Sequence, residues 1–477
     1  MEKSTKIVCT IGPASDKYEV LEKMQKNGMN VVRLNFSHGN HDEYLNVIKR
    51  VRRLEKASGE PIAIIQDLQG PKIRVGELPT EGIELSSGQK IIFNYLIKEC
   101  VGNQITIDYP LHNFVKKNER IFLNDGHIET KVISIQGSKI ICKVKTGGLL
   151  TSHKGMNIPD TKLNLTSLTK KDREDVCFGI EQKVDFIALS FVNSSKDVKA
   201  LSRLINKHQK KLKISKKNKI RIISKIERHE AVENIESIID VSDAIMIARG
   251  DLGIEIPIQK VPMIQKKIIA QCIKKEKPVI VATQMLESMK YSPDPTRAEV
   301  SDVANAVIDS ADAVMLSAET AIGHYPDLAV AVMSNIIEEA ERSEYDNLPT
   351  KKYSNLSKDV DDIISGLSRM LAEGIEAKLI LSASVSGDTG RLLSSYRPDT
   401  KIVILTRTEI VNRQLNLSWG VRPYKYGEFS SIEEMSKKSI ELLHKKKILK
   451  KKDKIIIVAG EPIGEAGHIN LLEVREV

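Results

Sequence analysis

The sequence is poor in aromatic residues and in cysteine. Phe, Trp and Tyr make up 4% of 477 residues, with a single Trp, and the five cysteines are scattered without a Cys-x-x-Cys pair. This dispersed, odd-numbered set argues against a disulfide framework and against a zinc site. No apolar run approaches about 18 residues, and Met1–Lys6 is polar and charged, with no apolar signal-peptide core or cleavage site after it. We therefore expect a soluble, cytoplasmic protein without a membrane span or leader.

The charge balance is moderately basic. Lys and Arg number 73 against 63 Asp and Glu, a net charge of +10, which favours anionic partners in general. Lysines concentrate in residues 208–219 and 445–454, but neither cluster is interleaved with aromatic residues or glycine. Solvated helix ends and loops explain such clusters better than nucleic acid does. A basic nucleic-acid-binding protein is kept as the non-enzymatic alternative, although it leaves the charged strand ends described below unexplained.

The hydrophobic pattern predicts three domains. At about 150 residues per domain the length suggests two to four. Short β-branched runs alternate with amphipathic stretches, which indicates βα units and a parallel sheet. Eight strands are predicted, at 5–11, 30–35, 62–67, 186–191, 220–226, 244–248, 279–282 and 313–316. Eight βα units predict an α/β fold of the (β/α)8 TIM barrel type, formed by residues 1–71 and 161–345.

Two other regions depart from the barrel pattern. Residues 72–160 contain only short alternating runs separated by Gly, Asn and Asp, which predicts a small all-β insertion. From residue 346 to 477, after a polar stretch at 347–349, three further buried strands at 378–383, 401–405 and 454–459 predict a C-terminal α/β domain.

Charged residues follow the predicted barrel strands. The most informative strings are Ile223–Glu227 and Ala248–Asp251, because each ends a buried strand in cations and carboxylates. Barrel enzymes carry their catalytic groups at these strand ends. Two carboxylates suit Mg²⁺, and a lysine would add a point charge to an oxyanion. Taken alone, Lys-x-Glu is more often a surface ion pair; its position favours a metal-assisted site. The full polar ring is Arg33, Asn35, Ser37, Asp67, Lys225, Glu227, Arg249, Asp251, Thr283, Ser317 and Glu319.

A loop in the C-terminal domain combines small hydroxyl residues with glycine. It contains Ser384, Ser386, Gly387, Thr389 and Gly390, followed by Arg391. Backbone amides at such a helix start bind phosphate, but a helix cap without any ligand explains the pattern equally well. The turn at 464–467 is similar in type. The sequence leaves open whether a phosphorylated effector binds here and which one it would be.

The motifs together resemble those of the pyruvate kinases. The strings that carry the resemblance are Lys6–Ser15, Arg33–Gly39, Gly70–Arg74, Ser224–Glu227, Ala248–Gly253, Ala282–Met289 and Leu316–Thr320. They run in family order and cover essentially the whole chain. The β insertion and the C-terminal α/β domain fall where the family has its lid and regulatory domains.

The resemblance implies a glycolytic phosphotransferase that converts phosphoenolpyruvate and ADP to pyruvate and ATP. It implies Mg²⁺, with Mn²⁺ as an alternative ion, and a homotetramer. By matched position, Glu227 and Asp251 bind the metal, Lys225 stabilises the moving phosphoryl group, and Arg33 clamps phosphate. The substrate-binding positions are Arg33, Arg249, Gly250, Asp251, Thr283 and Ser317, with Thr283 delivering a proton through a water relay. The nucleotide-binding positions are Asn35, Phe36, Ser37, His38, Arg74 and Lys154.

Residues 67–72 depart from the usual family pattern. Most members require K⁺ and carry Glu where this chain has Lys72, with Thr and Lys in place of Leu68 and Gln69; this segment is similar to the smaller K⁺-independent subgroup. The resemblance implies that the Lys72 ammonium replaces the monovalent cation beside Asn35, Ser37 and Asp67. An incidental exposed lysine is the alternative. A weaker departure is Asn124, where the family usually has a second acid beside Asp125.

A second enzyme class shares part of this site. A barrel lyase or aldolase that stabilises a pyruvate enolate with Mg²⁺ would use the same carboxylates and Arg33. It would need neither the nucleotide cluster nor the β insertion. Formation of ATP from phosphoenolpyruvate and ADP separates the two classes.

Overall fold

The computed structural model describes residues 3–161, 163, 167–215, 218–346, 359–460 and 469–477. The polar stretch at 347–349 and the turn at 464–467 lie outside the described residues. The first part of the chain forms β1 (Lys6–Thr10), α1 (Tyr18–Lys26), β2 (Val31–Asn35), α2 (His41–Ser58) and β3 (Ala63–Asp67). Helix α2 starts at a capping box between Asn40 and Glu43 and stops at Gly59, whose φ is 72°. These local signals explain why its bounds are readable from the sequence.

The insertion is built of antiparallel and short mixed sheets. Its strands are β4 (Ile83–Leu85), β5 (Lys90–Asn94), β6 (Gln104–Thr106), β7 (Arg120–Leu123), β8 (Ile128–Gln136), β9 (Lys139–Thr146), β10 (Gly148–Leu150) and β11 (Met156–Asn157). Six of them pair in the order β11-β7-β8-β9-β5-β6, and β10 pairs with β4. A separate apolar core that includes Phe93, Ile121 and Ile140 holds these sheets together. The expected all-β insertion is confirmed.

The βα pattern then resumes and closes the barrel. The elements are α3 (Lys170–Glu181), β12 (Phe186–Leu189), α4 (Ser195–Lys211), β13 (Arg221–Ile226), α5 (His229–Glu233), α6 (Ile235–Val241), β14 (Ala244–Ala248), α7 (Arg249–Glu255), α8 (Val261–Lys274), β15 (Val279–Ala282), α9 (Arg297–Ile308), β16 (Ala313–Leu316), α10 (Ala318–Ala321) and α11 (Pro326–Arg342). The order β1-β2-β3-β12-β13-β14-β15-β16 returns to β1 through parallel pairing of Lys6 with Ala313. This confirms the eight-stranded barrel.

The C-terminal domain is a five-stranded sheet with helices. It comprises α12 (Val360–Gly374), β17 (Leu379–Ser384), α13 (Asp388–Ser395), β18 (Lys401–Thr406), α14 (Glu409–Leu415), β19 (Val421–Lys425), α15 (Ile432–Lys445), β20 (Lys454–Ala459) and β21 (Leu471–Glu476). The strand order is β19-β18-β17-β20-β21, and β21 runs antiparallel to β20. The sequence pattern missed both β19 and β21. Both are edge strands, where proline and charged residues are tolerated and the hydrophobic run is broken.

Buried ion pairs attach the C-terminal domain to the barrel. Asp185, just before β12, accepts 2.7 Å bonds from Arg52 Nη2 and from Arg413 Nε of α14. Asp312, just before β16, accepts from Arg397 Nη2 at 2.9 Å. Both aspartates precede their strands, so the domain packs near the amino ends of the barrel strands. None of the described helices has the length and apolarity needed to cross a bilayer.

Candidate active site

A chain of alternating charges crosses the carboxyl ends of three barrel strands. Arg33 Nε lies 2.6 Å from Asp67 Oδ2, and Lys225 Nζ lies 3.2 Å from Asp67 Oδ1 and 2.9 Å from Glu227 Oε1. The side chain of Asp67 is fully buried and that of Lys225 is 11% exposed. Burying charged groups is costly, and here each of the four lies against a group of opposite sign.

The pKa values in this chain follow from burial and pairing. Burial opposes ionisation of Asp67, but Lys225 and Arg33 outweigh it and hold the pKa of Asp67 below its usual value. Burial lowers the pKa of Lys225, but Asp67 and Glu227 outweigh burial and raise the pKa above its usual value. Glu227 differs: burial and the neighbouring Asp251 carboxylate raise its pKa despite Lys225. Lys225 therefore compensates only part of the effect of burial on Glu227.

These two carboxylates fit a hard divalent cation. Asp251 lies in the first turn of α7, after β14, and Glu227 lies just after the neighbouring strand β13. One oxygen of Glu227 contacts Lys225, and the other accepts a 2.6 Å bond from the Phe191 amide. Mg²⁺ is usually held by one or two carboxylates together with water and substrate oxygens. A cation here would add to the partial compensation that Lys225 provides at Glu227.

Lys72 lies between a carboxylate of the barrel and one of the insertion. Its ammonium is 3.4 Å from Asp251 Oδ1 and 3.2 Å from Asp125 Oδ1 in the insertion, whereas Asp67 is held by Arg33 and Lys225. That its charge replaces a monovalent cation beside Asn35, Ser37 and Asp67 stays a prediction. Lys72 follows β3, where the chain enters the insertion. Its side chain extends towards Asp251 in the first turn of α7.

Lys72 is also not an incidental surface lysine. Its side chain is 18% exposed. Burial opposes its charge, but the carboxylates of Asp251 and Asp125 outweigh burial and raise its pKa. Its stem packs against Gly155 so closely that a Cβ there would lie 2.2 Å from Lys72 Cε.

Three of the predicted substrate-binding residues, Arg249, Gly250 and Thr283, meet at the ends of β14 and β15. The Gly250 amide donates a 2.7 Å bond to Thr283 Oγ1, which in turn donates to the Ala282 carbonyl at 2.5 Å. Arg249 contacts the Thr283 carbonyl at 2.8 Å and Asp302 at 2.7 Å, so its guanidinium braces the loop. Thr283 has a φ of 70°, which is rare for a β-branched residue and typical of strain held at a functional site.

Ser317 and Glu319 form the neighbouring strand end. The fully buried Glu319 accepts from the amides of Ser317 at 2.7 Å and Leu286 at 3.1 Å, and burial raises its pKa. Within the described residues the buried hydroxyl of Ser317 has no hydrogen-bond partner. Glu319 therefore positions the loops after β15 and β16, while the Ser317 hydroxyl is available to a water or a substrate.

The predicted nucleotide-binding residues separate into two groups. Asn35 accepts from the Ser37 amide at 3.3 Å, and burial, Arg74 and Arg33 lower the pKa of His38. In the insertion, Arg74 donates to the His153 carbonyl at 2.9 Å, next to Lys154. Phe36 is different, because its ring is fully buried. Its ring stacks on Tyr44 with centroids 4.2 Å apart. The ring of Phe36 is therefore part of the core, and the assignment of this position to the nucleotide site stays a prediction.

Sequence reasoning missed Ser190. Its hydroxyl accepts a 2.8 Å bond from Lys225 Nζ and donates a 2.7 Å bond to the Leu68 carbonyl. The predicted strand ran through Phe191, but β12 ends at Leu189. Ser190 is thus a strand-end residue like the other members of the site. A polar residue closing an apolar run was the only signal that could have identified it.

The loop in the C-terminal domain makes contacts of its own. Gly387, with φ 86°, donates its amide to Ser384 Oγ at 2.9 Å, and the Ser386 carbonyl accepts from Arg221 of β13 at 2.8 Å. Arg391 ion-pairs with Asp388, and a Cβ at Gly390 would lie 2.9 Å from Leu415 Cδ2. The loop therefore leads into α13 without a side-chain cap and contacts the barrel through Arg221. Thr389 lies in the first turn of that helix.

A closed parallel barrel with buried, alternating charges at the carboxyl ends of its strands defines a (β/α)8-barrel enzyme. Comparisons with known proteins specify which one. The model of the pyruvate kinase barrel domain matches residues 2–330, and that of the pyruvate kinase alpha/beta domain matches residues 362–475. The chain therefore belongs to the pyruvate kinase family and is a phosphotransferase.

Full-length relatives agree with this assignment. A pyruvate kinase of Clostridium acetobutylicum is 40% identical over 479 residues, which cover 100% of both chains. One of Geobacillus stearothermophilus is 40% identical over 483 residues, covering 100% of this chain and 81% of its own. The crystal structure of a pyruvate kinase from Cryptosporidium parvum superposes with a TM-score of 0.92 at 36% identity, covering 99% of this chain and 96% of that one.

Proposed function

We propose that the chain transfers the phosphoryl group of phosphoenolpyruvate to ADP, giving pyruvate and ATP. The observation that carries this proposal is the buried chain Arg33-Asp67-Lys225-Glu227, which keeps two cations ionised at the carboxyl ends of the barrel strands. Phosphoryl transfer has a loose transition state, so positioning and charge neutralisation supply most of the catalysis. An assay that couples pyruvate formation to NADH oxidation follows the reaction, and ATP is measured in the same sample. Failure to form ATP refutes the proposal and favours the lyase alternative.

Lys225 and Arg33 are the cations assigned to the phosphoryl group. Lys225 keeps its proton because its pKa is raised, so it presents a fixed charge to the phosphoryl and enolate oxygens. Arg33 uses Nε for Asp67 and Nη1 for Thr10 Oγ1 at 2.9 Å. Those two bonds lock the guanidinium plane, and Nη2 is directed by that plane to a phosphate oxygen.

Glu227 and Asp251 would hold Mg²⁺ or Mn²⁺. When bound, the ion neutralises charge on phosphoryl oxygens. The residues themselves contribute ionised carboxylates on adjacent strand ends, and Lys225 and Phe191 orient Glu227. A fall in metal affinity in Glu227→Gln, measured by calorimetry with Mn²⁺, tests this assignment without relying on turnover.

Thr283 and Ser317 are proposed to deliver the proton to the enolate carbon. A threonine hydroxyl is a weak acid, so it acts as one link in a water relay. Its hydrogen bond from Gly250 fixes the hydroxyl, and the buried Ser317 hydroxyl supplies a second anchor for water. Thr283→Val should slow solvent proton incorporation into pyruvate more than it slows ATP formation in the same sample.

We further propose that turnover does not require K⁺, because Lys72 supplies a permanent ammonium between Asp251 and Asp125. Full activity is expected in K⁺-free buffer, and Lys72→Glu should create a K⁺ requirement. Lys131→Glu, a change on β8 away from these contacts, is the matched control. Negligible K⁺-free turnover that rises steeply with KCl in the parent chain contradicts the proposal.

Three further assignments complete the proposal. His38, Arg74 and Lys154 contribute to the ADP site, with the insertion closing over it as a lid that excludes water.

The chain assembles as a homotetramer, which sedimentation equilibrium tests. A phosphorylated effector at the 384–391 loop is tested by phosphoenolpyruvate saturation curves with and without a sugar phosphate; identical curves remove it.

A further inference from the structure

A second cluster of ionisable residues lies where the insertion meets the barrel. This junction cluster consists of Arg228, His229 and Glu230 at the start of α5 and Glu255 at the end of α7. His229 Nδ1 is 3.3 Å from Glu230 Oε2 and 3.7 Å from Glu255 Oε2. Arg228 Nε is 3.4 and 3.8 Å from the same two oxygens. The insertion's Asn157 also hydrogen-bonds Glu255.

The junction cluster contains four buried atoms without a hydrogen-bond partner among the described residues. They are Arg228 Nε, His229 Nδ1, Glu230 Oε2 and Glu255 Oε2. The side chain of Glu255 is only 5% exposed. Buried polar groups are almost always hydrogen-bonded, and a concentration of exceptions points to a missing ion or water. The proposed reaction uses none of these side chains.

We propose that the junction cluster binds one divalent transition-metal ion, such as Zn²⁺, through His229, Glu230 and Glu255. Bonds of about 2.0–2.2 Å place tetrahedral ligands roughly 3.4 Å apart, and the two distances from His229 Nδ1 lie on either side of that value. One atom from each of the three residues falls within a 4.8 Å span. The separations therefore suit a single ion.

The donor set separates this site from the one at Glu227 and Asp251. An imidazole with carboxylates suits Zn²⁺ or Co²⁺, whereas Mg²⁺ prefers oxygen and water. Arg228 is compatible with the metal, because two carboxylates, one guanidinium and a divalent ion sum to a charge of plus one. That sum equals the charge of the His₂Glu zinc sites of known metalloenzymes. Excess Mg²⁺ should therefore saturate the site at Glu227 and Asp251 and leave the junction cluster free.

Cobalt binding to the full-length, metal-free protein tests the proposal. With Mg²⁺ in excess, Co²⁺ should bind at one equivalent per chain with the visible absorption of a tetrahedral site, and Zn²⁺ should displace it. His229→Gln should weaken this binding by at least about 100-fold. Glu230→Gln tests the same site independently if His229→Gln does not fold, as judged by circular dichroism.

The matched control is His208→Gln. His208 Nε2 lies 3.3 Å from Glu181 Oε1, and its Nδ1 lies 3.5 Å from Cys177 Sγ, so it is another place where a soft metal could bind. Cobalt binding should be unchanged in this variant. Absence of Co²⁺ uptake in excess Mg²⁺, uptake unchanged in the folded cluster variants, or uptake lost in His208→Gln would each overturn the proposal. The readout is binding alone, so the result is independent of the proposed reaction.

Discussion

Replacing Lys225 by methionine removes the central cation of the site. Methionine keeps much of the aliphatic stem, but Glu227 loses its 2.9 Å ion pair, and Asp67 keeps the Arg33 ion pair and a 3.4 Å bond from Ser190. Loss of one preorganised electrostatic contact to a transition state typically lowers kcat by about 10²- to 10³-fold, or about 2.7–4 kcal/mol. We expect a loss at the upper end of this range, because a buried ammonium acts in a medium of low dielectric constant.

The same substitution should change the pH dependence. Burial and Asp251 raise the pKa of Glu227, and Lys225 opposes them. Without Lys225 the pKa of Glu227 rises further, so the ionised form needed to bind metal is lost at a higher pH as the solution is acidified. The pH at which Mn²⁺ affinity falls on acidification, the acid limb, should therefore be higher in Lys225→Met than in the parent.

Two measurements decide this prediction. Turnover is followed by coupling pyruvate formation to NADH oxidation, and Mn²⁺ affinity is followed by calorimetry across pH. Lys266→Met, which removes an ammonium paired with Asp309 outside the site, is the control and should leave both unchanged. A Lys225→Met protein with kcat within about tenfold of the parent, or with an unmoved acid limb, refutes the assigned role.

Two structural predictions accompany it. Asp185→Asn removes the buried carboxylate that Arg52 and Arg413 share and leaves Arg413 only its 3.6 Å contacts with Glu55 and Glu409; it should cost about 3–5 kcal/mol of stability, seen as a lower thermal midpoint. Asp240→Asn breaks an exposed pair with Lys275 and should cost less than about 1 kcal/mol. Gly155→Ala places a Cβ 2.2 Å from Lys72 Cε, so it should displace the ammonium and produce K⁺ stimulation without a change of charge. Gly374→Ala, with no atom within 4 Å of its Cβ, should produce none.

The barrel could be predicted because its information is local. Parallel strands buried on both faces are near-continuous β-branched runs, and this holds for β14 and β15, which were located to the residue. The ends of these strands then identify the site, because topology brings all of them to one rim. The edge strands β19 and β21 lack this signal, since one side of each faces solvent and their composition is mixed.

The partners of site residues were less predictable. That Lys72 contacts Asp125 and Asp251 depends on how the insertion packs on the barrel, which no local pattern encodes. The burial of Phe36 depends on packing in the same way, because the ring of Tyr44 stacks on the ring of Phe36. Motif position predicts that these residues belong to the site, but it does not show which of their atoms face the cavity.

The placement of Lys72 has a consequence for how the site obtains its charge. A free cation must be captured from solution, so its occupancy follows its concentration; an ammonium attached to the chain is always present. Lys72 also joins Asp125 of the insertion to Asp251 of the barrel, and burial of its stem on Gly155 keeps it there. The position of the insertion and the charge at the carboxylates proposed to hold the metal are thus linked through one side chain. A monovalent ion from solution provides the charge without that link. In Lys72→Glu, added K⁺ should therefore restore turnover. The insertion should still be more mobile than in the parent, as measured by hydrogen exchange.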